Sequence, residues 1–413
     1  MNLLVRSGNL FDPIALDTHA NVDILIQGGR IRSISPHPMN VSSDDVVDAS
    51  GCTVLPGLLN LHSHPQRRHA RYMGPKSPFR VGAAAVESLP NTQRLLYAVQ
   101  NCWRELLEEG VTTIRAAGSK DFLNIELRDV FADGVFDGPR ILATGPILAI
   151  TGGHGTRGLD GGMQVDGVDE MRRVVRTVLK AGADWIKLCV SGGLAGIHKG
   201  DHPSIVEFTP EEVRAAVVEA HKRSRKVMVH GMSAESVKMA VEAGVDCIEH
   251  GNLLDDEAID MMAEAKVSFV PTMSGIRRVY ERERDGGSPV VAEMLREVID
   301  PHMDAVSACI KRGILIGAGT DTLGSIAREI EMLAECGMTN AEALAAATHR
   351  SATIVEMQDE IGSIEEGKVA DMVVVEGDPV SDLAALRQIK EVVCRGNLVT
   401  WEYLASSRAA KEE

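Results

Sequence analysis

Two histidines two residues apart, His62 and His64, would share one face of a strand, because strand side chains alternate. Such a pair can chelate a cation, although the same spacing also arises without function. Lys187 stands inside the apolar run Trp185-Ile-Lys-Leu-Cys-Val. A lysine there fits a buried strand poorly unless it finds a partner. Burial depresses a lysine's pKa and exposes a neutral, nucleophilic amine. That amine can add carbon dioxide, giving a carbamate that bridges two cations as a carboxylate would. His230 and His250 each end an apolar run, and Asp321 closes Ala318-Gly-Thr-Asp. A strand-end histidine alone is more often structural, and Asp321 alone reads equally well as the cap of a following helix. Together, the six side chains point to a two-cation centre bridged by carboxylated Lys187.

Such residues act together only if the fold gathers them. Eight apolar runs read as strands: Leu58–His62, Val111–Arg115, Arg140–Thr144, Asp184–Val190, Val227–His230, Cys247–His250, Val267–Pro271 and Ile314–Gly317. Amphipathic helices are expected between most of them, over Thr92–Glu109, Val168–Ala181, Thr209–Ser224, Ala234–Ala243, Asp255–Ala265 and Val290–Lys311. Gly110, Gly182, Gly244 and Gly313 supply stop signals before the next run. Strand–helix alternation of this kind predicts an α/β fold, a (β/α)8 TIM barrel, with a doubly wound open sheet as the competitor. In a barrel the strand C-termini converge on one face, which would bring the six residues into one cup.

Both chain ends have a different texture. Leu3–Ser7, Asn21–Gln27, Arg30–Ile34 and Val46–Asp48 read as strands, as do Asp371–Val375 and Val392–Arg395. The reading is one small antiparallel β-sandwich built from residues 1–56 and 362–413, around a barrel spanning 57–361; two unrelated terminal sheets are the alternative.

With 43 basic against 59 acidic residues and a net charge of −16, the chain has no surplus of cations for nucleic acid. No apolar stretch reaches the roughly 18 residues that span a bilayer. Seven scattered cysteines without a C-x-x-C pair read as reduced, buried thiols. The expectation is a cytoplasmic enzyme with a small-molecule substrate and neither nucleic-acid nor membrane partners.

At this point the chain resembles the amidohydrolase superfamily, and within it the binuclear prolidase-like and imidazolonepropionase-related amidohydrolases. The matching segments are Leu55-Pro-Gly-Leu-Leu-Asn-Leu-His-Ser-His, Thr151-Gly-Gly-His-Gly, Ile186-Lys-Leu-Cys-Val-Ser-Gly-Gly, Ala240-Val-Glu-Ala-Gly-Val-Asp-Cys-Ile-Glu-His-Gly, Gly317-Ala-Gly-Thr-Asp and Gly362-Ser-Ile-Glu-Glu-Gly-Lys-Val-Ala-Asp-Met. They reach across nearly the whole chain.

The resemblance implies that His62 and His64 bind one cation and that His230 and His250 bind a second. Carboxylated Lys187 would bridge both, and Asp321 would touch the first while serving as general base and acid. Two divalent ions, about 3.5–4 Å apart, would hold a hydroxide that attacks an amide-type carbonyl. Nitrogen and carboxylate ligands suit zinc, with manganese, iron and cobalt as alternatives. His154 is placed either to hydrogen-bond the carbonyl or oxyanion or to support the rim. The family often forms homo-oligomers.

Two departures stand out. Relatives commonly read His-Ala-His-Gly where this chain has His230-Gly-Met-Ser, and Thr322-Leu-Gly-Ser-Ile-Ala-Arg-Glu is short and lacks a histidine found in some of them. Both weaken the expectation of a standard dipeptidase. The substrate classes expected are a dipeptide, an N-acyl amino acid, or an aryl amide or carbamate. A lactone, a phosphoester or a cyclic imidazolone is the alternative; the last usually goes with a mononuclear centre lacking the lysine. A non-enzymatic scaffold would be expected to have lost ligands. Arg67, Arg68 and Arg71 with Tyr72 read as a solvated loop face or as a clamp for a substrate carboxylate. His19, His37, His69, His198, His202, His221, His302 and His349 read as structural, with His69 and His198 nearest to strand ends.

Overall fold

The computed structural model describes residues 2–40, 45–67, 89–157, 162–194, 197 and 200–405. Arg68, His69, Arg71, Tyr72 and His198 lie outside these residues. The chain is α/β, and seven of the eight expected runs form strands: Leu58–Ser63, Val111–Ala116, Arg140–Ala143, Trp185–Cys189, Lys226–Ser233, Cys247–Leu253 and Ser268–Val270. The first three pair in parallel as one sheet. The other four pair in parallel within a second sheet, which two short strands, Leu148–Ala149 and Met163–Gln164, extend. Single contacts cross between the sheets. Asp184 N donates to Ala143 O, and the eighth run enters through the bridges Phe269 to Ile316 and Ser63 to Asp321. Leu59 and Leu61 from one sheet meet Trp185, Met228, Cys247 and Val270 from the other in one buried cluster.

The helices follow from local signals. Ser233 both ends its strand and caps Ala234–Ala243, with its side chain accepting from Ser236 N. Thr209 and Glu212 close a capping box at Pro210–His221. Gly244 terminates Ala234–Ala243 at φ 91°, a left-handed turn that glycine adopts without strain. Met273–Gly286, Ile326–Glu335 and Asn340–Ala346 were not foreseen from the apolar pattern. Ser325, not Asp321, caps Ile326–Glu335, so Asp321 is left for another role.

The two chain ends do share one sheet, running in the order Asn397–Val399, Ile389–Cys394, Met372–Glu376, Cys52–Pro56, Asn2–Asp12, Asp17–Gln27, Arg30–Ser35. It is mixed rather than antiparallel throughout, because Asn2–Asp12 pairs in parallel with both Asp45–Asp48 and Cys52–Pro56. Its apolar face forms a cluster of its own around Val5, Ile24, Val54, Met372 and Val374. Among the described residues no helix is long and apolar enough to cross a membrane.

Candidate metal centre

Residues in or just after three strands, together with the helix start at His154, bring five histidines together. The His62 ring centroid lies 5.3 Å from that of His64 and 4.8 Å from that of His250. His230 lies 4.5 Å from His250, and His154 stacks on His230 at 4.7 Å. Ligand atoms of His62, His250 and Asp321 fall within 4.8 Å of one another, and His64 Nε2 is 3.5 Å from Asp321 Oδ1. Burial holds the pKa values of His62, His230 and His250 well below the ordinary imidazole value, leaving them neutral and able to donate a lone pair.

Lys187 is 2% exposed, and its Nζ has no hydrogen-bond partner among the described residues. Burial lowers its pKa, which moves the amine toward its neutral, nucleophilic form. Register puts Lys187 opposite Met228, and Cys189 opposite His230, so the lysine faces the same side as that histidine. For Asp321, burial works to raise the carboxyl pKa. His62, His64 and Arg67 outweigh it and bring the value down to about 2. Clustered neutral imidazoles, an ionised carboxylate and an unpartnered buried amine fit a divalent-cation centre better than a closed structural core.

His250 reaches this cluster by breaking strand alternation. Glu249, its neighbour, faces His62 with Oε2 2.6 Å from Nδ1. In a regular strand His250 would then face the opposite way. Its φ of 76° is left-handed, and the turn swings its ring back beside His62 and His230. Thr272 (φ 54°) and Asp321 (φ 53°), at the next two strand ends, are left-handed too. Non-glycine residues in this region cost about 1–3 kcal/mol each and persist where surrounding structure holds them.

Several holding groups escaped the sequence reading. Glu249 also accepts from Arg115 Nη2 at 2.8 Å, and both side chains are fully buried. Arg115 donates in addition to Leu61 O, next to His62. Asp201 accepts from Gly193 N and lies 2.5 Å from His154 Nδ1, while Glu207 accepts from His154 N. A charged residue inside an apolar run was the available signal, the same one that drew attention to Lys187. Arg115 and Glu249 carry it, but Asp201 and Glu207 sit in a loop without pattern. Arg67 is held by Thr322 Oγ1 and lies 3.9 Å from Asp321 Oδ1, so this arginine faces the centre rather than open solvent.

The sequence profile described as the "Amidohydrolase family" matches residues 53–399. The chain is 29% identical over 365 residues to an ochratoxinase of Aspergillus niger, covering 82% of this chain and 73% of that protein. A solved Xaa-Pro dipeptidase with bound methionine in its active site is 31% identical, with TM-score 0.85 over 97% of this chain and all of that one. A putative prolidase from Bifidobacterium longum is 30% identical, with TM-score 0.81 over 100% of this chain and 97% of that one.

Proposed function

Because this chain belongs to the amidohydrolase family and is a metal-dependent hydrolase of amide-type C–N bonds, we propose that its centre is binuclear, with carboxylated Lys187 as the bridge. His62 and His64 would hold one cation and His230 and His250 the other, with Asp321 on the first. Zinc suits this donor set best. The observation that carries the reading is the Lys187 amine, which is buried and unpartnered among neutral imidazoles. Addition of carbon dioxide to the neutral amine, with release of one proton, would replace an unpartnered nitrogen with an anion whose oxygens could ligate the cations.

The bound cations would supply Lewis-acid polarisation of the scissile carbonyl and activation of water. The rest falls to the side chains. Asp321 accepts the proton of the attacking water and returns it to the leaving nitrogen. His154, oriented by Asp201 through Nδ1, presents its other ring nitrogen toward the carbonyl oxygen. Met232 follows His230 by two residues, is 2% exposed and packs with Ile276, Leu295, Val298 and Ile299. On this reading, an apolar residue in place of the second histidine common in relatives favours N-acyl amino acids and aryl amides over free dipeptides.

The same reading makes the two parallel sheets parts of one (β/α)8 barrel over residues 57–361, with residues 1–56 and 362–413 as a β-sandwich. The contacts from Asp184 to Ala143, Phe269 to Ile316 and Ser63 to Asp321 support it.

Assay of zinc-loaded protein against Xaa-Pro dipeptides, N-acyl amino acids, aryl amides, lactones and phosphoesters tests the proposal. Highest kcat/KM on an apolar N-acyl or aryl amide is expected. A preference for lactones or phosphoesters would overturn the assignment.

A further inference from the structure

The left-handed backbone of His250 raises the question of what keeps its ring on the cation side of the strand. Two contacts answer it. Its Nδ1 lies 2.7 Å from Thr272 Oγ1, and its carbonyl accepts from His302 Nε2 at 2.7 Å. The ring of His302 is fixed in turn, since Asn252 Nδ2 donates to its Nδ1 at 3.0 Å. All four residues are buried.

Thr272 is itself over-determined. It is left-handed, and the two backbone N–H groups that follow, Met273 and Ser274, donate to the fully buried Glu329 carboxylate at 3.0 and 2.7 Å. The carboxylate thus caps the helix Met273–Gly286 from another segment of the chain and pins the turn that presents the threonine hydroxyl.

We propose that Thr272 is the positioning residue for His250. Its hydroxyl accepts the Nδ1 proton, which fixes the tautomer and leaves Nε2 as the lone pair aimed at the second cation. This inference rests on the reading of His250 as a ligand. Thr272 touches neither substrate nor cation in this account; it acts through the imidazole.

Thr272→Val preserves shape and β-branching while removing the acceptor, and Thr272→Ser restores it. Zinc binding to the apo protein is measured by competition with a chromogenic chelator, beside thermal unfolding of the apo forms and a His250→Ala control. The expected result is a second-site zinc affinity about 10–100-fold weaker in Thr272→Val. Wild-type affinity should return in Thr272→Ser, with the apo unfolding temperature little changed. Wild-type affinity in Thr272→Val, while His250→Ala loses one zinc equivalent, overturns this inference alone. If His250→Ala also keeps two equivalents, the ligand assignment beneath it fails as well. Should the valine variant not fold, Thr272→Ala, which also lacks the acceptor, provides the same comparison.

Discussion

His62 Nδ1 lies 2.6 Å from Glu249 Oε2, and both side chains are buried. The opposite carboxylate oxygen of Glu249 binds Arg115, which is fully buried as well. Residues from three strands are therefore tied together directly behind a proposed ligand. Such groups set which ring nitrogen carries the proton, and their loss typically weakens metal binding by about 10–100-fold. They also leave a charge behind when cut. Glu249→Ala strands Arg115 without its counter-ion, so a stability loss of about 3–5 kcal/mol is expected together with weakened zinc binding. Denaturant unfolding of the apo protein and zinc titration check the two effects separately.

Lys187→Ala should reduce the metal content of purified, zinc-replete protein below two equivalents and abolish most turnover. Elemental analysis by plasma mass spectrometry provides the count. Two full equivalents in that variant would remove the bridging role.

Asp321→Asn keeps a side chain of similar size at the first cation but removes the proton acceptor. We expect most metal to be retained and kcat to fall by about 10²–10⁴-fold, the usual scale of general acid–base catalysis. Unchanged kcat would assign proton transfer elsewhere.

Glu329 predicts a pH effect on folding. Burial dominates its surroundings and lifts its carboxyl pKa from 4.5 to about 7, although it accepts from two backbone N–H groups. The folded pKa is the higher one, so between these values the native state holds a proton that the unfolded chain has released. Stability therefore falls as pH rises from about 4.5 through about 7, by roughly 3 kcal/mol, and levels off above. Glu329→Gln should lack this slope, as urea unfolding at a series of pH values would reveal. An equal slope in both proteins would assign the effect to other groups.

Much of this centre was legible in the sequence because it obeys simple periods. Apolar runs ending in His62, His230 and His250 became parallel strands, although the last two run three residues further than expected, and the lysine within Trp185–Val190 is buried as its neighbours required. The helices with stop glycines formed within a few residues of expectation. What escaped is non-local or non-periodic. Glu249 and Arg115 find each other across 134 residues. The left-handed turns at His250, Thr272 and Asp321 have no glycine to announce them. They are imposed by tertiary contacts such as Glu329 to Met273 and Ser274. The terminal sheet was visible as strand texture, but not the parallel pairing of Asn2–Asp12 with Cys52–Pro56, which depends on a long-range register.

The proposed centre stands or falls with the conversion of Lys187 to an acid between two cations. Crystals of the zinc-loaded protein grown with bicarbonate test it most directly. Branched density is expected beyond Lys187 Nζ, with one oxygen on each of two anomalous peaks, one beside His62 and His64 and the other beside His230 and His250. A fully loaded site in which Lys187 ends at a bare Nζ and contacts neither ion would contradict it.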